Sequence, residues 1–291
     1  MEDSAAVKSV SRLGEPPRPL CLDPRAAIQL VIDRFPFPDY IHLERNSTLD
    51  TAACVRRHLV PGSKILDFGC GPCDLAAVLQ AMGMDCSAYD DLTDAWHLQH
   101  GNREKIISFA QSSGIHFTLA TPGSALPFQR ESFDLLLMCD VVEHLHSSPR
   151  ELLNALLQTV KPNGLLLITV PNAGNIRKRL TLLLGGTNYA KYDLFYWYPG
   201  EFRGHIREYV RSDLASLSHN LGLETVELRG CDRMLDKVPP ALRTIYRATT
   251  NLASGWKDSW TLVARKRPGW QPQTTAPQAA QQSRPRYLYD D

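Results

Sequence analysis

Residues 64–75, KILDFGCGPCDL, constrain the fold of this chain more than any other stretch. Apolar residues at 65, 66 and 68 predict a short buried strand, and the turn from Gly69 to Gly71 leads into an apolar-periodic helix through Leu75. A strand, a glycine turn and a helix in this order open a nucleotide-binding α/β unit. The glycines let a ligand approach the backbone closely, and the helix start offers unpaired N–H groups.

Asp67 lies two residues before the first glycine and restricts the ligand that the turn accepts. A carboxylate there repels the pyrophosphate of a dinucleotide and attracts a cation. Asp74 also replaces the third glycine of the G-x-G-x-x-G fingerprint, which argues against a nicotinamide-dependent oxidoreductase. We therefore expect an adenosine ligand with a cationic group and no phosphate, a description that fits S-adenosylmethionine.

Composition narrows the remaining classes of function. The chain has 291 residues and a formal net charge of +1 with acids and bases interspersed, so no overall field indicates nucleic acid or an anionic membrane as a partner. The first residues lack a basic region followed by an apolar core, and no apolar run approaches the roughly 20 residues that span a bilayer. We predict a cytoplasmic protein without a transmembrane segment.

The chain contains seven scattered cysteines, an odd number that predicts reduced thiols rather than a disulfide framework. Cys70 and Cys73 form a C-x-x-C pair, but no second Cys or His pair stands at zinc-ligand spacing. The glycine turn also differs from a thioredoxin-like context. We interpret the two thiols as small residues that pack a tight turn.

Strand and helix patterns alternate from residue 61 to residue 267, as in a doubly wound parallel sheet. Residues 1–60 form an N-terminal extension, Pro-rich and disordered at first and then helical from 24 to 60 with breaks at Pro36 and Pro38. Residues 268–291, rich in Gln, Pro and Ala, are predicted to be a disordered tail. We expect one main domain between them.

Acidic residues follow the predicted strand 84–89, at a sequence separation from the glycine turn that is typical of ribose-binding carboxylates. Asp90 lies about 20 residues past the glycine turn, where a carboxylate accepts hydrogen bonds from two ribose hydroxyls. Asp91 is the second choice. Without the glycine turn upstream, a solvated acidic loop or a helix cap would be the better interpretation.

The central strand 133–139 is followed by candidates for proton transfer: Asp140, Glu143 and His144. His144 is the natural base because an unperturbed histidine has a pKa near 6.5. Glu143 either orients His144 or caps the next helix. His205 and Arg207 follow a run of aromatic residues. They either approach the acceptor from the lid side or serve as a structural histidine and a surface charge.

The insert, residues 172–208, interrupts the alternation between a strand and a helix. Six of the ten residues from 189 to 198 are aromatic, and the basic run 177–179 and the apolar run LTLLL precede them. An insert at this place lies over the carboxyl ends of the strands, where an acceptor binds. It is either a lid and acceptor pocket or a second small core or dimer contact.

Five segments in order resemble the class I S-adenosylmethionine-dependent methyltransferases: ILDFGCG, Asp90, LPFQRESFDLLLMCDVVEHL, VKPNGLLLITVPN and GHIREYVRSDLASLSHNLGL. The nearest branch contains the ubiquinone-biosynthesis O-methyltransferases, and the resemblance covers residues 61–230. It implies the Rossmann-like methyltransferase fold, a mostly parallel sheet of seven strands with an antiparallel edge strand. The expected methyltransferase domain is residues 61–267, with residues 172–208 as its aromatic lid insert.

The same resemblance implies a set of cofactor-binding residues. The region of Asp67, Gly69 and Gly71 holds the methionine part, Asp90 holds the ribose, and loop 122–127 flanks the adenine. The chain departs from the family in having Cys73 at a frequent third glycine, and Thr121 and Pro122 where an Asp usually contacts adenine; backbone near Ser124 is expected to substitute. The expected cofactor-binding set is Asp67, Gly69, Cys70, Gly71, Asp90, Asp91, Ser124, Cys139 and Asp140.

The expected function is S-adenosylmethionine-dependent O-methylation of a small-molecule, lipid-linked or glycan acceptor, with His144 as the base and Glu143 and His205 beside it. The alternative is a non-catalytic binding or scaffold protein that keeps the fold. The motif DVVEHLH also resembles the metal cluster of small-RNA 2′-O-methyltransferases, but Asp140 stands where those enzymes have Glu. No basic RNA-binding surface is evident, so we expect neither a metal ion nor nucleic acid.

Overall fold

The computed structural model describes residues 21–121, 123–235 and 238–275, and the elements below belong to that part of the chain. The strands, which form a single sheet, are β1 (Lys64–Phe68), β2 (Asp85–Asp90), β3 (His116–Leu119), β4 (Phe133–Cys139), β5 (Val160–Pro171), β6 (Glu224–Cys231) and β7 (Ser259–Arg265). The helices are α1 (Pro24–Ile32), α2 (Pro38–His58), α3 (Asp74–Ala81), α4 (Asn102–Ser112), α5 (Pro149–Thr159), α6 (Ile176–Leu183), α7 (Tyr192–Tyr196), α8 (Arg211–Asn220) and α9 (Arg243–Thr250).

The strand order is β3-β2-β1-β4-β5-β7-β6. The pairs from β3 through β5 are parallel, whereas β7 runs antiparallel to both of its neighbours, β5 and β6. The predicted fold class, a doubly wound and mostly parallel sheet of seven strands, is confirmed. The antiparallel strand β7 is inserted between β5 and β6, so it lies one place in from the edge.

The central strand β4 shows why its sequence is almost continuously apolar. Leu135 and Leu137 belong to the core on one face of the sheet, while Leu136 and Met138 belong to the core on the other face. All four side chains are at most 1% exposed. A parallel strand covered on both faces by helices buries every side chain, and each buried side chain of this size contributes about 1.5–3 kcal/mol.

Helices α1 and α2 cover the face of the sheet that also carries α3. The chain turns between them at residues 33–37, as the prolines predicted. Asp23 caps α1 by accepting hydrogen bonds from the N–H groups of Arg25 and Ala26 at 2.9 and 3.2 Å. Ile28 is 1% exposed in the core, so the end of the predicted extension is part of the folded domain.

Residues 268–275, which follow β7, pack against the domain. Trp270 donates its indole N–H to the carbonyl of Leu221 at 2.7 Å, and Gln273 donates its backbone N–H to the side chain of Asn154 at 2.8 Å. Residues 268–275 of the predicted tail are therefore ordered by these contacts, and residues 276–291 lie outside the described residues, as do residues 1–20.

No helix within the described ranges has both the length and the apolar character required to cross a bilayer.

Candidate active site

A cavity of about 700 Å³ opens at the carboxyl ends of the central strands. Asp67 on β1, Asp90 on β2 and Cys139 on β4 contribute to its wall. From β1 the chain crosses to β2 on one side, and β4 pairs with β1 on the other, so the cavity lies at the topological switch point. Its volume falls within the range of about 300–1,000 Å³ that is usual for small-molecule sites.

The glycine turn after β1 forms one wall of this cavity. Gly69 has a φ of 73°, and a Cβ added there would lie 2.5 Å from a methyl carbon of Val141. Gly71 has a φ of 51° and faces open space. Glycine is therefore required at the first position by close packing, and at both positions by a backbone conformation that other residues rarely adopt.

Asp90 ties this turn to the end of β2. Its Oδ2 accepts a hydrogen bond from the N–H of Gly71 at 2.8 Å, and its Oδ1 accepts one from the N–H of Leu92 at 2.8 Å. Burial raises the pKa of Asp90, and these two backbone donors oppose that effect. Each carboxylate oxygen keeps a lone pair for a ligand hydroxyl, since a carboxylate offers about four acceptor sites.

Asp67 is the most deeply buried carboxyl group in the wall. It is 3% exposed. Burial, together with the charges of Asp74 and Asp90, raises the pKa of Asp67 to about 8. Without a ligand, the group is mostly protonated at neutral pH, and a cation placed beside it would favour the carboxylate. The wall is thus prepared for a positively charged ligand group.

Asp91 also lines the cavity, but Arg203 engages it. The guanidinium donates to Asp91 at 3.2 Å and to Asp94 at 2.8 Å. Burial raises the pKa of Asp91, but hydrogen bonds from Thr93 and Arg203 outweigh it, so the pKa lies below its ordinary value. Asp90 is therefore the freer of the two predicted ribose carboxylates.

The structure places Cys70, Cys139 and Asp140 on the cavity wall, as expected for cofactor-binding residues. Ser124 lies elsewhere: it is not among the described residues that line the cavity, and its hydroxyl turns back to donate to the carbonyl of Thr121 at 2.7 Å. This local turn explains the difference from the expectation. Pro122 lies outside the described residues.

The predicted catalytic residues meet beside the cavity. His144 lines the wall, and its ring lies 4.9 Å from the ring of His205, centroid to centroid, at an interplanar angle of 81°. Glu143 is 0% exposed, and neither carboxylate oxygen has a hydrogen-bond partner among the described residues. Burial, followed by the charge of Asp140, raises the pKa of Glu143 to about 8.

Hydrogen bonds fix which nitrogen of each ring carries the proton. His144 Nδ1 lies 2.9 Å from the backbone carbonyl of Arg203, which only accepts, so Nδ1 donates. His205 Nδ1 lies 2.9 Å from a carboxylate oxygen of Glu208 and donates in the same way. Each neutral ring therefore keeps a free lone pair on Nε2.

These residues also have the donor set of a metal site. One carboxylate oxygen of Glu143 and one ring nitrogen from each of His144 and His205 lie within 4.8 Å of one another. Histidines that bind metals usually donate their other N–H to a carbonyl or a carboxylate, as both rings do here. The cluster can therefore hold a divalent cation, and the unpartnered oxygens of Glu143 would gain a partner.

Sequence reasoning missed Arg233, a buried cation in the cavity wall. Its guanidinium is 5% exposed and donates to both carboxylate oxygens of Asp140 at 3.0 Å, and it also contacts the hydroxyl of Ser47. Arg233 follows β6, 93 positions after Asp140. No local pattern in the sequence signals such a contact.

The insert reaches the mouth of the cavity through Glu201 and Arg203. Its helices α6 and α7 contain no buried residue, so the aromatic side chains do not form a second core. Leu184 is 87% exposed and Trp197 is 76% exposed. None of the six aromatic residues of 189–198 is among the described residues that line the cavity.

The sheet order and the crevice lined by carboxyl groups at the switch point are those of a Rossmann-like S-adenosylmethionine-dependent methyltransferase. Residues 43–228 match the model of a methyltransferase-domain family, and the chain belongs to that family. The family implies S-adenosylmethionine as the cofactor. The glycine turn, the buried Asp67 and the free lone pairs of Asp90 fit that cofactor's cation and its ribose.

The relatives agree with this assignment. The chain is 30% identical over 148 residues to the mitochondrial ubiquinone biosynthesis O-methyltransferase of Schizosaccharomyces pombe, covering 50% of this chain and 52% of that protein. It is 26% identical over 167 residues to the ubiquinone biosynthesis O-methyltransferase of Rickettsia prowazekii, covering 57% of this chain and 61% of that protein. The matches thus span about half to three fifths of these relatives.

Among solved structures, the fold is similar to that of a Thermotoga maritima protein described as a SAM-dependent methyltransferase, possible histamine N-methyltransferase. The TM-score is 0.51 at 16% sequence identity, and the match covers 82% of this chain and 100% of that one. At this identity the similarity supports the fold alone.

Proposed function

We propose that this protein transfers the methyl group of S-adenosylmethionine to a hydroxyl oxygen of a small-molecule, lipid-linked or glycan acceptor. The observation that carries the proposal is the position of His144, which lines the cavity with its Nδ1 proton committed to a carbonyl and its Nε2 lone pair free. The ubiquinone biosynthesis O-methyltransferases among the relatives support oxygen as the methylated atom.

The cofactor is held by residues that the strand ends supply. Asp67 would face the cationic methionine part beside the glycine turn, and Asp90 would accept hydrogen bonds from the ribose hydroxyls. When bound, the cofactor supplies a methyl group attached to a sulfonium sulfur. The leaving group is a neutral thioether, so its departure needs no acid. The protein's contribution is to align the acceptor, exclude water and remove the acceptor's proton.

His144 removes that proton through Nε2. The imidazolium that forms keeps its Nδ1 hydrogen bond to the carbonyl of Arg203, and Glu143 lies close enough to stabilise the charge. His205, held by Glu208, forms the other side of the same cluster. General-base catalysis of this kind typically contributes about 10²–10⁴-fold to the rate.

The geometry also supports a second mechanism, which departs from the sequence-based expectation of no metal. Glu143, His144 and His205 together suit a divalent cation, which would lower the pKa of an acceptor hydroxyl bound beside it. Two unpartnered carboxylate oxygens at 0% exposure support this extension, because a buried carboxyl group without partners is costly. In that form Nε2 of His144 would be a metal ligand and no longer a base, so activation of the hydroxyl would fall to the bound cation rather than to His144.

The insert supports an acceptor with an apolar part. Exposed leucines and aromatic residues occur along the insert, and the rings of Phe195 and Tyr198 contact Phe202, the neighbour of the cavity residue Arg203. An apolar chain attached to the methylated ring or sugar would find its contact surface there. This is the arrangement that we propose for an aromatic lid.

Incubation of the purified chain with methyl-labelled S-adenosylmethionine and separate polar and lipid extracts tests the function. We expect label in a small product or lipid and its loss in His144→Asn, whereas His116→Asn, a substitution at a surface histidine on β3, serves as the matched control. Calorimetry with S-adenosylhomocysteine tests the scaffold alternative, which the absence of measurable binding would favour. Cofactor binding without transfer to either extract would contradict methyltransferase activity on these acceptors, and label found only in protein or RNA would reassign the acceptor.

A further inference from the structure

Cys70 and Cys73 bring two sulfur atoms together in the wall of the cofactor cavity. Their Sγ atoms lie 3.5 Å apart, and the N–H of Cys73 donates to the carbonyl of Cys70 at 3.1 Å, closing a tight turn. Cys70 is 7% exposed and lines the cavity, whereas Cys73 is 0% exposed behind it. One sulfur is therefore reachable from the cavity and the second is next to it.

The backbone of Cys73 is an independent sign that its sulfur has a role. Cys73 has φ 64° and ψ 18°, in the left-handed region, and it precedes α3 without a side-chain capping hydrogen bond. Glycine adopts this conformation freely, and other residues adopt it with strain. The chain thus keeps a thiol at a position where glycine would be less strained.

We propose that Cys70 and Cys73 are a modification site, at which exchange with a low-molecular-weight disulfide such as oxidised glutathione forms a reversible intramolecular disulfide. The sulfurs need to approach from 3.5 Å to the S–S bond length of about 2.05 Å. The close turn between the two residues makes this a local movement.

The exchange proceeds in two balanced steps. Cys70, which faces the cavity, loses its proton and attacks one sulfur of the small disulfide, releasing one small thiolate and leaving a mixed disulfide. Cys73 then loses its proton and attacks the Cys70 sulfur, releasing the second thiolate. The two cysteines lose two electrons and two protons, and the oxidant becomes two thiols.

Burial raises the pKa of the Cys70 thiol, and the hydrogen bond with Cys73 and the charges of Asp67 and Asp90 act in the same direction. The reactive thiolate is therefore scarce at neutral pH, and the exchange accelerates as the pH rises. The site responds to a sustained oxidising condition rather than to a brief one.

Oxidation also alters the cofactor site, a step that rests on the proposed cofactor binding. The disulfide draws Cys73 toward Cys70 across Gly71, whose N–H holds Asp90 at 2.8 Å. Movement of Gly71 disturbs the carboxylate that faces the ribose, so the oxidised form binds the cofactor less tightly. By linkage, bound cofactor disfavours the disulfide to the same extent, and it also covers Cys70.

The test incubates the reduced full-length chain with oxidised glutathione, alkylates the remaining thiols and maps the peptides by mass spectrometry. We expect the peptide that contains Cys70 and Cys73 to lose two hydrogens and resist alkylation, and saturating S-adenosylhomocysteine to slow this change. Calorimetry on the oxidised protein should show about a tenfold loss of affinity that dithiothreitol reverses. In Cys73→Gly, whose backbone suits that φ, the mixed disulfide at Cys70 should accumulate instead.

The exposed Cys21 serves as the internal control for the oxidant. If Cys21 is modified while Cys70 and Cys73 both remain free for alkylation, or if the mixed disulfide persists in the unmodified chain as it does in Cys73→Gly, the modification site is refuted. If the reduced protein does not bind S-adenosylhomocysteine, the proposed function fails. The mass of the peptide still shows whether the disulfide between Cys70 and Cys73 forms.

Discussion

The ring of His144 donates its Nδ1 proton to the backbone carbonyl of Arg203 at 2.9 Å, although the two residues lie 59 positions apart. A backbone carbonyl cannot donate, so this contact selects the tautomer with its proton on Nδ1 and its lone pair on Nε2. The insert, through Arg203, therefore determines the tautomer of His144, which follows the central strand β4.

Replacement of His144 by Asn should lower kcat about 100-fold, because the variant loses the proposed base and retains Asp67 and Asp90, the residues proposed to face the cofactor. The affinity for S-adenosylhomocysteine, measured by calorimetry, should stay close to that of the unmodified protein. The control His116→Asn changes a surface histidine beside Asp85 and should retain full activity. Equal losses of kcat in both variants would show that His144 is not the base.

Cofactor affinity should rise with pH up to about 8, the pKa to which burial raises Asp67. Below this value the carboxyl is protonated in the empty site and must release a proton to face a cation, so affinity increases by at most about tenfold per pH unit. Calorimetry in two buffers with different ionisation enthalpies measures the released proton. Asp67→Asn should abolish this dependence, whereas Asp85→Asn, at the opposite end of β2, should preserve it.

The buried carboxyl group of Asp67 also makes the folded protein less stable as the pH rises. The pKa of Asp67 is about 8 in the folded state, against 3.8 for an unperturbed aspartate, so its contribution is fully favourable below about pH 4 and is lost as the pH rises through 8. Asp67→Asn should therefore flatten the fall in the free energy of unfolding between about pH 4 and pH 8. Urea titrations across this range measure it, and parallel curves for the two proteins would contradict the assignment.

A divalent cation should bind the cluster of Glu143, His144 and His205. Chelation should lower activity, Mg²⁺ or Mn²⁺ should restore it, and the added ion should raise Tm in a concentration-dependent way. Glu143→Gln should remove the shift in Tm, while Glu151→Gln, a substitution at a surface carboxylate, should keep it. Full activity in chelator with no shift in Tm would leave His144 to act without a metal ion.

Removal of the carboxylate at Asp140 should destabilise the fold by leaving the buried Arg233 without its ion-pair partner. Breaking a fully buried pair costs about 3–5 kcal/mol, and because the Asp140 side chain is 43% exposed we expect about 1–3 kcal/mol for Asp140→Asn. Chemical denaturation measures the change. Glu224→Gln, which removes one charge of the exposed 3.5 Å ion pair with Arg267, is the matched control and should change stability by less than about 0.5 kcal/mol.

Local patterns were enough to predict much of this molecule. A few neighbouring residues are enough to predict the apolar run of β4, the glycine turn and the acidic end of β2. The sheet and the positions of Asp67 and Asp90 were therefore predictable from the sequence. Arg233 could not be predicted, because its partners Asp140 and Ser47 lie 93 and 186 positions away. Ser124 is absent from the described cavity lining, since a local turn directs its hydroxyl to the carbonyl of Thr121.

Arg203 has contacts at both ends of the cavity. Its guanidinium contacts Asp91 and Asp94 after β2, and its carbonyl accepts the hydrogen bond from the ring of His144 after β4. One residue of the insert thereby connects the acidic end of one strand with the histidine that follows another, and a shortened insert without Arg203 would lose both connections at once.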